Sequence, residues 1–341
     1  MAIDRLRPKM KSANSTIADV ALHAGVSTAT VSRVINNSSV SENTRLRVLR
    51  SIDQLSYKVN IDGQALRLRK TNRILLSLAN ISNPFYTSLA ETIENAIRKS
   101  GYHILLSASA NNEEEIQEQI EKAGSGFVDG FIFGPINFSP ASINKLKKLT
   151  IPTVLIGPRI PGTKIDSVGT NEYHGMKEAI LYLRAKGKKK FLLFNGPSDS
   201  IPGLNRNNCF LKIMSEISEK SIKYDVVNIS SFTFEQANIE IRNLSTIFDF
   251  DSIICGNDLM AAAVINYLRE MNRSIPEETA VLGLDNVDFC SYVYPQISSI
   301  DINIPEQGQA AAKALLSRIK NPKQKYSEHL TVSRFIPRQS T

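Results

Sequence analysis

Residues 16–35 read TIADVALHAGVSTATVSRVI, a stretch that predicts two short helices joined by a sharp turn. Thr16 precedes the first helical run and Asp19 follows three positions later, so the hydroxyl can cap an early N–H and the carboxylate favours the positive end of the helix. Gly25 allows the turn, and Ser27 can cap the second helix. The stretch therefore predicts a helix-turn-helix.

The second helix has two different faces at about 100° per residue. Its inner face holds Val31, Val34 and Ile35, which would pack on the first helix. Its outer face holds small or hydroxylated side chains and one arginine, namely Thr28, Ala29, Ser32 and Arg33. Such a face can approach base edges closely, and an arginine can donate two hydrogen bonds to guanine O6 and N7. The alternative is a plain helical hairpin with a solvated arginine.

A third helix is predicted from Ser41. Its inward side chains are expected to be Val48, Leu49, Ile52 and Leu55, and its outward side chains Arg45, Arg47 and Arg50. These arginines are expected to be solvated or to contact phosphate rather than to read bases.

The positive charge of the chain is concentrated at its start. Residues 1–70 carry twelve lysines and arginines against five acidic residues, whereas the rest of the chain carries 29 against 28. A head of net charge +7 on an almost neutral body suggests a small module that binds a polyanion.

Composition excludes several classes of protein. With 341 residues, 42% apolar and 22% charged, the chain can bury a sizeable core. It has no apolar run long enough for a membrane helix, and its first residues do not read as a secretory signal. The three cysteines (Cys209, Cys255, Cys290) and four histidines (His23, His103, His174, His329) have no metal-ligand spacing. We therefore expect free thiols in a reducing cytoplasm, and no metal or cofactor.

From Thr71 onward, short apolar runs alternate with helical stretches. Four strands are expected at Ile74–Ala79, Tyr102–Ser107, Val128–Phe133 and Thr153–Ile156, and four more at Lys190–Phe194, Tyr224–Ile229, Ser252–Cys255 and Ala280–Leu284. Two sets of alternating strands and helices predict an α/β core of two parallel-sheet subdomains. Ligands of such folds bind beyond the carboxyl ends of the strands, so a cleft between the subdomains is the expected site.

Polar and aromatic side chains follow several of these strands. Asn83, Phe85 and Tyr86 follow the first strand, and Asn257, Asp258 and Asp285 follow the last two. Carboxylates, amides and an aromatic face would suit a sugar or a similar polar metabolite. Asn257 and Asp258 could instead cap a helix, and Phe234 is expected in the core.

Enzyme motifs are missing from the sequence. The stretch GSGFVDG at 124–130 precedes a strand, whereas a dinucleotide-binding loop must follow one. No phosphate loop and no GxSxG elbow is present, so we do not expect an enzyme. A transport binding protein would need an export signal and would not need a basic head.

The chain resembles the lactose-repressor (LacI/GalR) family of bacterial transcription regulators over residues 16 to about 338. The resemblance begins with TIADVALHAGVSTATVSRVINN and continues through ISNPFY at 81–86, CGNDLMAAAVI at 255–265 and IPEETAVLGLDN at 275–286. It implies a helix-turn-helix head and a periplasmic-binding-protein-like core. The chain would cross between the core subdomains three times, near residues 170, 301 and 328.

The resemblance implies four parts of the chain. The head would be residues 1–58 and the hinge residues 59–70. The N-subdomain would combine 71–170 with 302–328, and the C-subdomain, with the effector cleft, would combine 171–301 with 329–341.

The family's DNA contacts can be carried over by position. Residues matching Thr28, Ala29 and Arg33 lie in the major groove, and Leu66 matches a leucine that wedges a minor-groove step. The full expected DNA-binding set is Thr16, Ser27, Thr28, Ala29, Thr30, Ser32, Arg33, Asn36 and Leu66. The hinge departs from the family at Val59, where proline is usual, and at Asp62 and Gly63, which replace better helix formers.

The effector contacts can be carried over in the same way. Arg206 matches the family's effector-binding arginine, and Phe232 matches an aromatic residue that covers the ligand in that family. Asn171 and Ser200 match positions that vary with the ligand. The expected effector set is Asn83, Phe85, Tyr86, Asn171, Ser200, Arg206, Phe232, Asn257 and Asp285. Cys209 stands where the family usually has glycine.

These observations predict a cytoplasmic, sequence-specific DNA-binding regulator, expected to be a repressor. It would bind a pseudo-palindromic operator as a homodimer, because one small head makes few contacts. A small polar effector, expected to be a sugar, would control the affinity for DNA. The alternative is a member of the same family that depends on a corepressor or on a partner protein.

Overall fold

The computed structural model describes residues 15–58, 70–109, 112–217, 219 and 221–341. The chain divides into two compact units, a head that ends at Thr71 and a body from Asn72 to Thr341. The described part of each unit has its own buried apolar cluster. Residues 59–69 of the predicted hinge, Leu66 among them, lie outside the described residues.

The head contains three helices, α1 (Ile17–Ala24), α2 (Thr28–Ile35) and α3 (Glu42–Gln54). Each begins at a hydroxyl N-cap, provided in turn by Thr16, Ser27 and Ser41. Thr16 and Asp19 form a reciprocal capping box. The turn after α1 places Gly25 at a φ of 63°, a left-handed conformation that glycine adopts at little cost. The predicted helix-turn-helix is confirmed.

The third helix differs from its prediction at Leu49 and at Arg45, which is half-buried and donates to the Ser38 carbonyl over 3.0 Å. Leu49 is 48% exposed, whereas Val48 and Ser51 are buried. Because Leu49 lies about 100° around the helix from Val48, it falls outside the inward arc. The buried Ser51 Oγ donates to the Arg47 carbonyl over 2.9 Å and lies 2.9 Å from His23 Nδ1, so its polar atom is paired.

The body contains two six-stranded sheets. The first has the order β11-β5-β4-β3-β1-β2, and all of its pairs are parallel. The second has the order β12-β10-β9-β8-β6-β7, and only β12 runs antiparallel to its neighbour. The strands are β1 (Arg73–Leu78), β2 (His103–Ala108), β3 (Gly130–Gly134), β4 (Thr153–Ile156), β5 (Asp166–Asn171), β6 (Lys190–Asn195), β7 (Lys223–Asn228), β8 (Ser252–Cys255), β9 (Ala280–Asp285), β10 (Ser298–Asp301), β11 (Glu328–Val332) and β12 (Arg334–Ile336).

Helices pack around both sheets. They are α4 (Pro84–Arg98), α5 (Glu113–Gly124), α6 (Pro140–Lys148), α7 (Tyr173–Ala185), α8 (Ile201–Ile217), α9 (Phe234–Asn243), α10 (Asp258–Glu270) and α11 (Ile304–Lys320). Helix α11 packs on α4 and on strands of the first sheet. We call the first sheet with α4–α6 and α11 the first lobe, and the second sheet with α7–α10 the second lobe.

The predicted α/β core of two parallel-sheet subdomains is confirmed. All eight predicted strands occur, with ends that differ by at most two residues. Four strands were not predicted: β5, β10, β11 and β12. Strands β5 (DSVGTN) and β10 (SSID) are buried but lack the apolar run on which the prediction depended.

The third crossing between the lobes lies later than predicted. Strand β11 pairs with β5 in the first sheet, so residues 329–332 belong to the first lobe and not to the second. Strand β12 then pairs with β10 in the second sheet, which leaves Ser333 as the only residue between the two strands. The other crossings lie at Glu172 and at 302–303. The sequence HLTVSRFI contains no turn signal, so nothing in it marks this change of sheet.

Hydroxyl groups link the three crossings to one another. Thr331 Oγ1 lies 2.9 Å from Thr170 Oγ1 and donates to the Ile302 carbonyl over 3.0 Å. Ser333 Oγ donates to the Asn171 carbonyl over 2.7 Å and accepts from the Gly175 N–H over 2.9 Å. We call Thr170, Thr331 and Ser333 the crossover cluster, because their hydroxyls connect all three chain segments that pass between the lobes.

Candidate functional site

The outer face of α2 is available to a partner of the head. Val31 and Val34 are buried against the other helices, while Thr28, Ala29 and Arg33 are exposed. No ion pair of Arg33 occurs within the described residues. A cationic side chain thus stands beside two small ones on an open helix face, as the sequence predicted.

The other predicted DNA contacts that the structure describes, all but Leu66, are engaged within the head. Thr16 Oγ1 donates to Asp19 over 2.7 Å, and Ser27 Oγ accepts from the Thr30 N–H over 3.2 Å. Asn36 Nδ2 donates to the Ser32 carbonyl over 2.8 Å. These side chains therefore hold the ends of α1 and α2 in place, whatever else they contact.

A cavity of about 410 Å³ lies between the two lobes of the body. Its volume falls in the range of about 300–1,000 Å³ that is usual for small-molecule sites. The first lobe contributes Asn83, Phe85 and Tyr86, and the second contributes Arg206, Phe232, Asn257 and Asp285. The structure thus brings seven of the nine predicted effector residues to one cavity.

The charged centre of this cavity is Arg206. Its Nε and Nη2 each donate to Glu172 Oε1 over 3.2 Å, and Nη2 lies 3.7 Å from Asp285 Oδ1. Its guanidinium carbon lies 5.3 Å from the centre of the Phe232 ring. Burial lowers the pKa of Arg206, but the charges of Glu172 and Asp285 outweigh burial and raise it. Arg206 is therefore a buried cation whose charge is balanced by carboxylates.

Asp285 ends strand β9 and faces this arginine. It is buried, and burial raises its pKa well above the usual value, although the Arg206 charge opposes that shift. The nearby Tyr86 is half-buried, and its pKa is raised by burial and by the Asp285 charge. The phenol of Tyr86 thus stays neutral and keeps a proton that it can donate.

Phe232 packs closely against Gly196. A Cβ placed on Gly196 would lie 2.4 Å from the Phe232 ring, so only glycine leaves room for the ring in this position. Phe232 in turn places an aromatic face beside Arg206 at the cavity wall.

Asn257 and Asp258 mainly organise the backbone. Asn257 caps α10, because its Oδ1 accepts from the Met260 N–H over 2.9 Å, and its Nδ2 donates to the Phe232 carbonyl over 2.8 Å. Asp258 is not a lining residue: it accepts from Ser299 Oγ over 2.6 Å and from the Val287 N–H over 3.0 Å. Burial raises the pKa of Asp258 to about 6. The helix-cap interpretation is thus correct for Asn257, and Asp258 ties the segment after β9 to β10.

Two predicted effector residues are not brought to the cavity. Asn171 is exposed, and its Oδ1 accepts from the Tyr173 N–H over 3.2 Å at the start of α7. Ser200 is buried, donates to the Pro197 carbonyl over 2.6 Å and accepts from the Gly203 N–H over 3.1 Å. Both side chains stabilise the start of a helix, so neither faces the ligand space.

Several lining residues were not predicted as ligand contacts, and three of them stand out. Glu172 binds Arg206, Gln307 lies at the start of α11, and Phe234, expected in the core, is half-buried at the cavity wall. Glu172 directly follows β5, so recognising that strand would have drawn attention to it through the rule that places ligands at strand ends.

Other types of site are not found in the part of the chain that the structure describes. There, no group of three histidine, cysteine or acidic side chains could hold a metal ion. No described helix is both long enough and apolar enough to cross a membrane.

Both units match known protein families. Residues 16–60 match the bacterial regulatory proteins of the lacI family, and residues 180–341 match the periplasmic binding protein-like domain. A similar curated protein is the ribose operon repressor of Lactococcus lactis subsp. lactis, which is 30% identical over 307 residues, or 88% of this chain and 90% of the relative.

Solved structures give the same result for the fold. The lac repressor dimer bound to operator and an anti-inducer has a TM-score of 0.83 and 22% identity, covering 96% of this chain and 99% of its own. A LacI family regulator from Enterococcus faecium with bound ribose has a TM-score of 0.69 and 26% identity, covering 79% of this chain and 98% of its own.

Proposed function

Because the chain belongs to the lacI family of bacterial regulatory proteins, we propose that it is a sequence-specific DNA-binding repressor whose affinity for its operator is controlled by a small polar ligand. The observation that carries the proposal is the open face of α2, where exposed Arg33 stands beside Thr28 and Ala29. That family consists of transcription regulators, and we propose no catalytic activity. Since the target is chromosomal DNA, the proposed place of action is the cytoplasm.

DNA recognition is proposed to divide between base contacts and phosphate contacts. Thr28 and Ala29 are small enough to let α2 approach base edges, and the guanidinium of Arg33 can donate to guanine. Arg47 and Arg50, which are exposed on α3, supply charge for phosphate groups. Two copies of the head on a two-fold dimer would read two half-sites, as in the operator-bound lac repressor dimer.

The proposal is tested by replacing Arg33. A preferred duplex is first selected from a random pool with the full chain, and the dissociation constants for this duplex and a scrambled one are then measured by fluorescence anisotropy. We expect Arg33→Ala to reduce the binding free energy for the selected duplex by about 1–3 kcal/mol, and that for the scrambled duplex by much less.

Arg47→Ala is the matched control, because Arg47 is an exposed arginine of the same head on a different helix. It should weaken binding to both duplexes by similar factors, as the loss of a phosphate contact does. Equal losses on both duplexes for Arg33→Ala would contradict a base-reading role.

The ligand is proposed to be a sugar held between the lobes. Support comes from the cavity, whose carboxylates, amides and aromatic rings suit a polyol, and from the ribose bound to the Enterococcus faecium regulator. A ligand that prefers one orientation of the lobes would shift the affinity for DNA. A coupling free energy of about 1–3 kcal/mol corresponds to a change of roughly 5–150-fold.

A further inference from the structure

Acidic side chains outnumber basic ones around the cavity. Three carboxylates line it, those of Glu172, Glu235 and Asp285, and Arg206 is the only lysine, arginine or histidine among the described lining residues. Glu235 is exposed, whereas Glu172 and Asp285 are largely shielded from solvent. The enclosed part of the cavity thus holds two carboxylates against one cation.

The one cation of this lining, Arg206, is already paired with neighbouring carboxylates. Arg206 uses Nε and Nη2 to donate to Glu172 Oε1, and Nη2 also lies within ion-pair distance of Asp285. A phosphate or carboxylate group on a ligand would compete for this arginine with two fixed carboxylates. Because like charges repel strongly when water is excluded, the anionic group would bring a penalty that the site does not compensate.

Glu172 also has spare hydrogen-bonding capacity. Its Oε1 accepts both donors of Arg206, while Oε2 is buried and has no hydrogen-bond partner among the described residues. A buried carboxylate oxygen without a donor is unfavourable. A ligand hydroxyl or ammonium group that donates a hydrogen bond to this oxygen would remove that cost. An anionic group carries no such donor.

We propose that this cavity takes an uncharged or amine-bearing sugar and rejects sugar phosphates and sugar acids, and that Glu172 is the residue that determines this selectivity. The inference rests on the proposed function, of which it specifies the ligand class. Asp285, whose Oδ1 lies 3.7 Å from Arg206 Nη2, reinforces the selectivity.

The test compares sugars that differ only in charge. Calorimetric titrations of the full chain would use ribose against ribose 5-phosphate, and glucose against glucose 6-phosphate, glucuronate and glucosamine, with the remaining common pentoses and hexoses screened by thermal shift. We expect at least one neutral or amino sugar to bind, and its anionic counterpart to bind at least about 100-fold more weakly, since specificity here depends on repulsion.

Glu172→Gln keeps the shape of the side chain and removes its charge. We expect this substitution to weaken binding of the neutral sugar about 10–100-fold, because a charged hydrogen-bond acceptor is lost. It should also strengthen binding of the anionic counterpart relative to the neutral sugar, because Arg206 would then face one fewer competing carboxylate. If Glu172 had only a structural role, the substitution would weaken the binding of both ligands by the same factor. Glu118→Gln is the control, because Glu118 lies on the exposed side of α5 in an ion pair with Lys122. This substitution should leave the affinity for both ligands unchanged.

Two results would overturn the proposal. One is an anionic sugar that binds the wild-type chain as tightly as its neutral counterpart or more tightly. The other is a panel in which no neutral or amino sugar binds. Neither depends on the folding of a variant. Binding of the selected duplex, measured on the same samples, separates a failure of this inference from a failure of the proposed DNA-binding function.

Discussion

Asp285 has a φ of 113°, in a region of backbone space that few residues other than glycine enter. The neighbouring backbone holds it there. The Val287 N–H donates to Asp258 Oδ2 over 3.0 Å, and the Asn286 N–H donates to Ser299 Oγ over 3.0 Å. The buried Asp258 thus positions Asp285 although it does not line the cavity.

Replacing Asp285 with asparagine should separate ligand binding from DNA binding. Asparagine keeps the size of the side chain and also tolerates a positive φ, whereas the negative charge that faces Arg206 is lost. We expect operator affinity to stay within about threefold and the sugar to bind about 10–100-fold more weakly. The measurement is anisotropy of the selected duplex during titration with the best-binding sugar of the panel, and an unchanged response would remove Asp285 from the site.

Single residues were predictable where a strong strand preceded them. Asp285 follows the apolar run of β9, and Phe85 and Tyr86 follow β1, so strand-end reasoning found all three. Glu172 follows β5, whose polar sequence gave no strand signal, and it was missed. Ser200 was carried over by position alone, and position does not reveal that its hydroxyl is already used at the start of α8.

At the scale of elements, the lobes are connected by short crossings that share hydrogen bonds. The third crossing is a single buried residue, Ser333, whose hydroxyl binds both the Asn171 carbonyl and the Gly175 N–H. There is also no room beside it, because a Cβ on Gly175 would lie 3.0 Å from Ser333 Oγ and 2.9 Å from the Arg334 nitrogen. Sequence patterns could not predict this arrangement, since it depends on which sheet each short strand joins.

Ser333→Ala should destabilise the body. The substitution leaves the buried Gly175 N–H without its acceptor and removes one of the hydrogen bonds to the Asn171 carbonyl, which costs about 1–3 kcal/mol. We expect a lower midpoint in urea unfolding, followed by circular dichroism. Ser125→Ala is the matched control, because the Ser125 hydroxyl makes one exposed bond to the Lys122 carbonyl and its loss should cost less than about 0.5 kcal/mol. Equal losses for the two variants would show that the crossover cluster adds no stability.

At the scale of the whole molecule, charge and chemistry are divided between two units. The first 70 residues carry nearly all the net positive charge, and the described residues that line the cavity all lie between Ala79 and Leu330. Charge counting alone was enough to predict this division. The head was the most predictable part of the chain, because caps, turn glycine and apolar spacing all lie within twenty residues.

A fragment of residues 72–341 should retain the sugar site and lose the DNA site. Since every described lining residue of the cavity lies within this unit, we expect its dissociation constant for the best-binding sugar to match that of the full chain within about threefold. Calorimetry measures binding of the sugar to the fragment. Fluorescence anisotropy should show that the fragment does not prefer the selected duplex over the scrambled one. A folded fragment that no longer binds the sugar would show that the site depends on the head.

The single residue between β11 and β12 has a consequence for how insertions are tolerated. Side chains alternate between the two faces of a strand, so one residue added or removed at Ser333 would turn every side chain of β12 to the opposite face of its sheet. Phe335, whose ring now lies 5.1 Å from that of Tyr182 in a tilted arrangement, would then face away from α7. The length of the chain at this junction is therefore constrained as well as the identity of its residue.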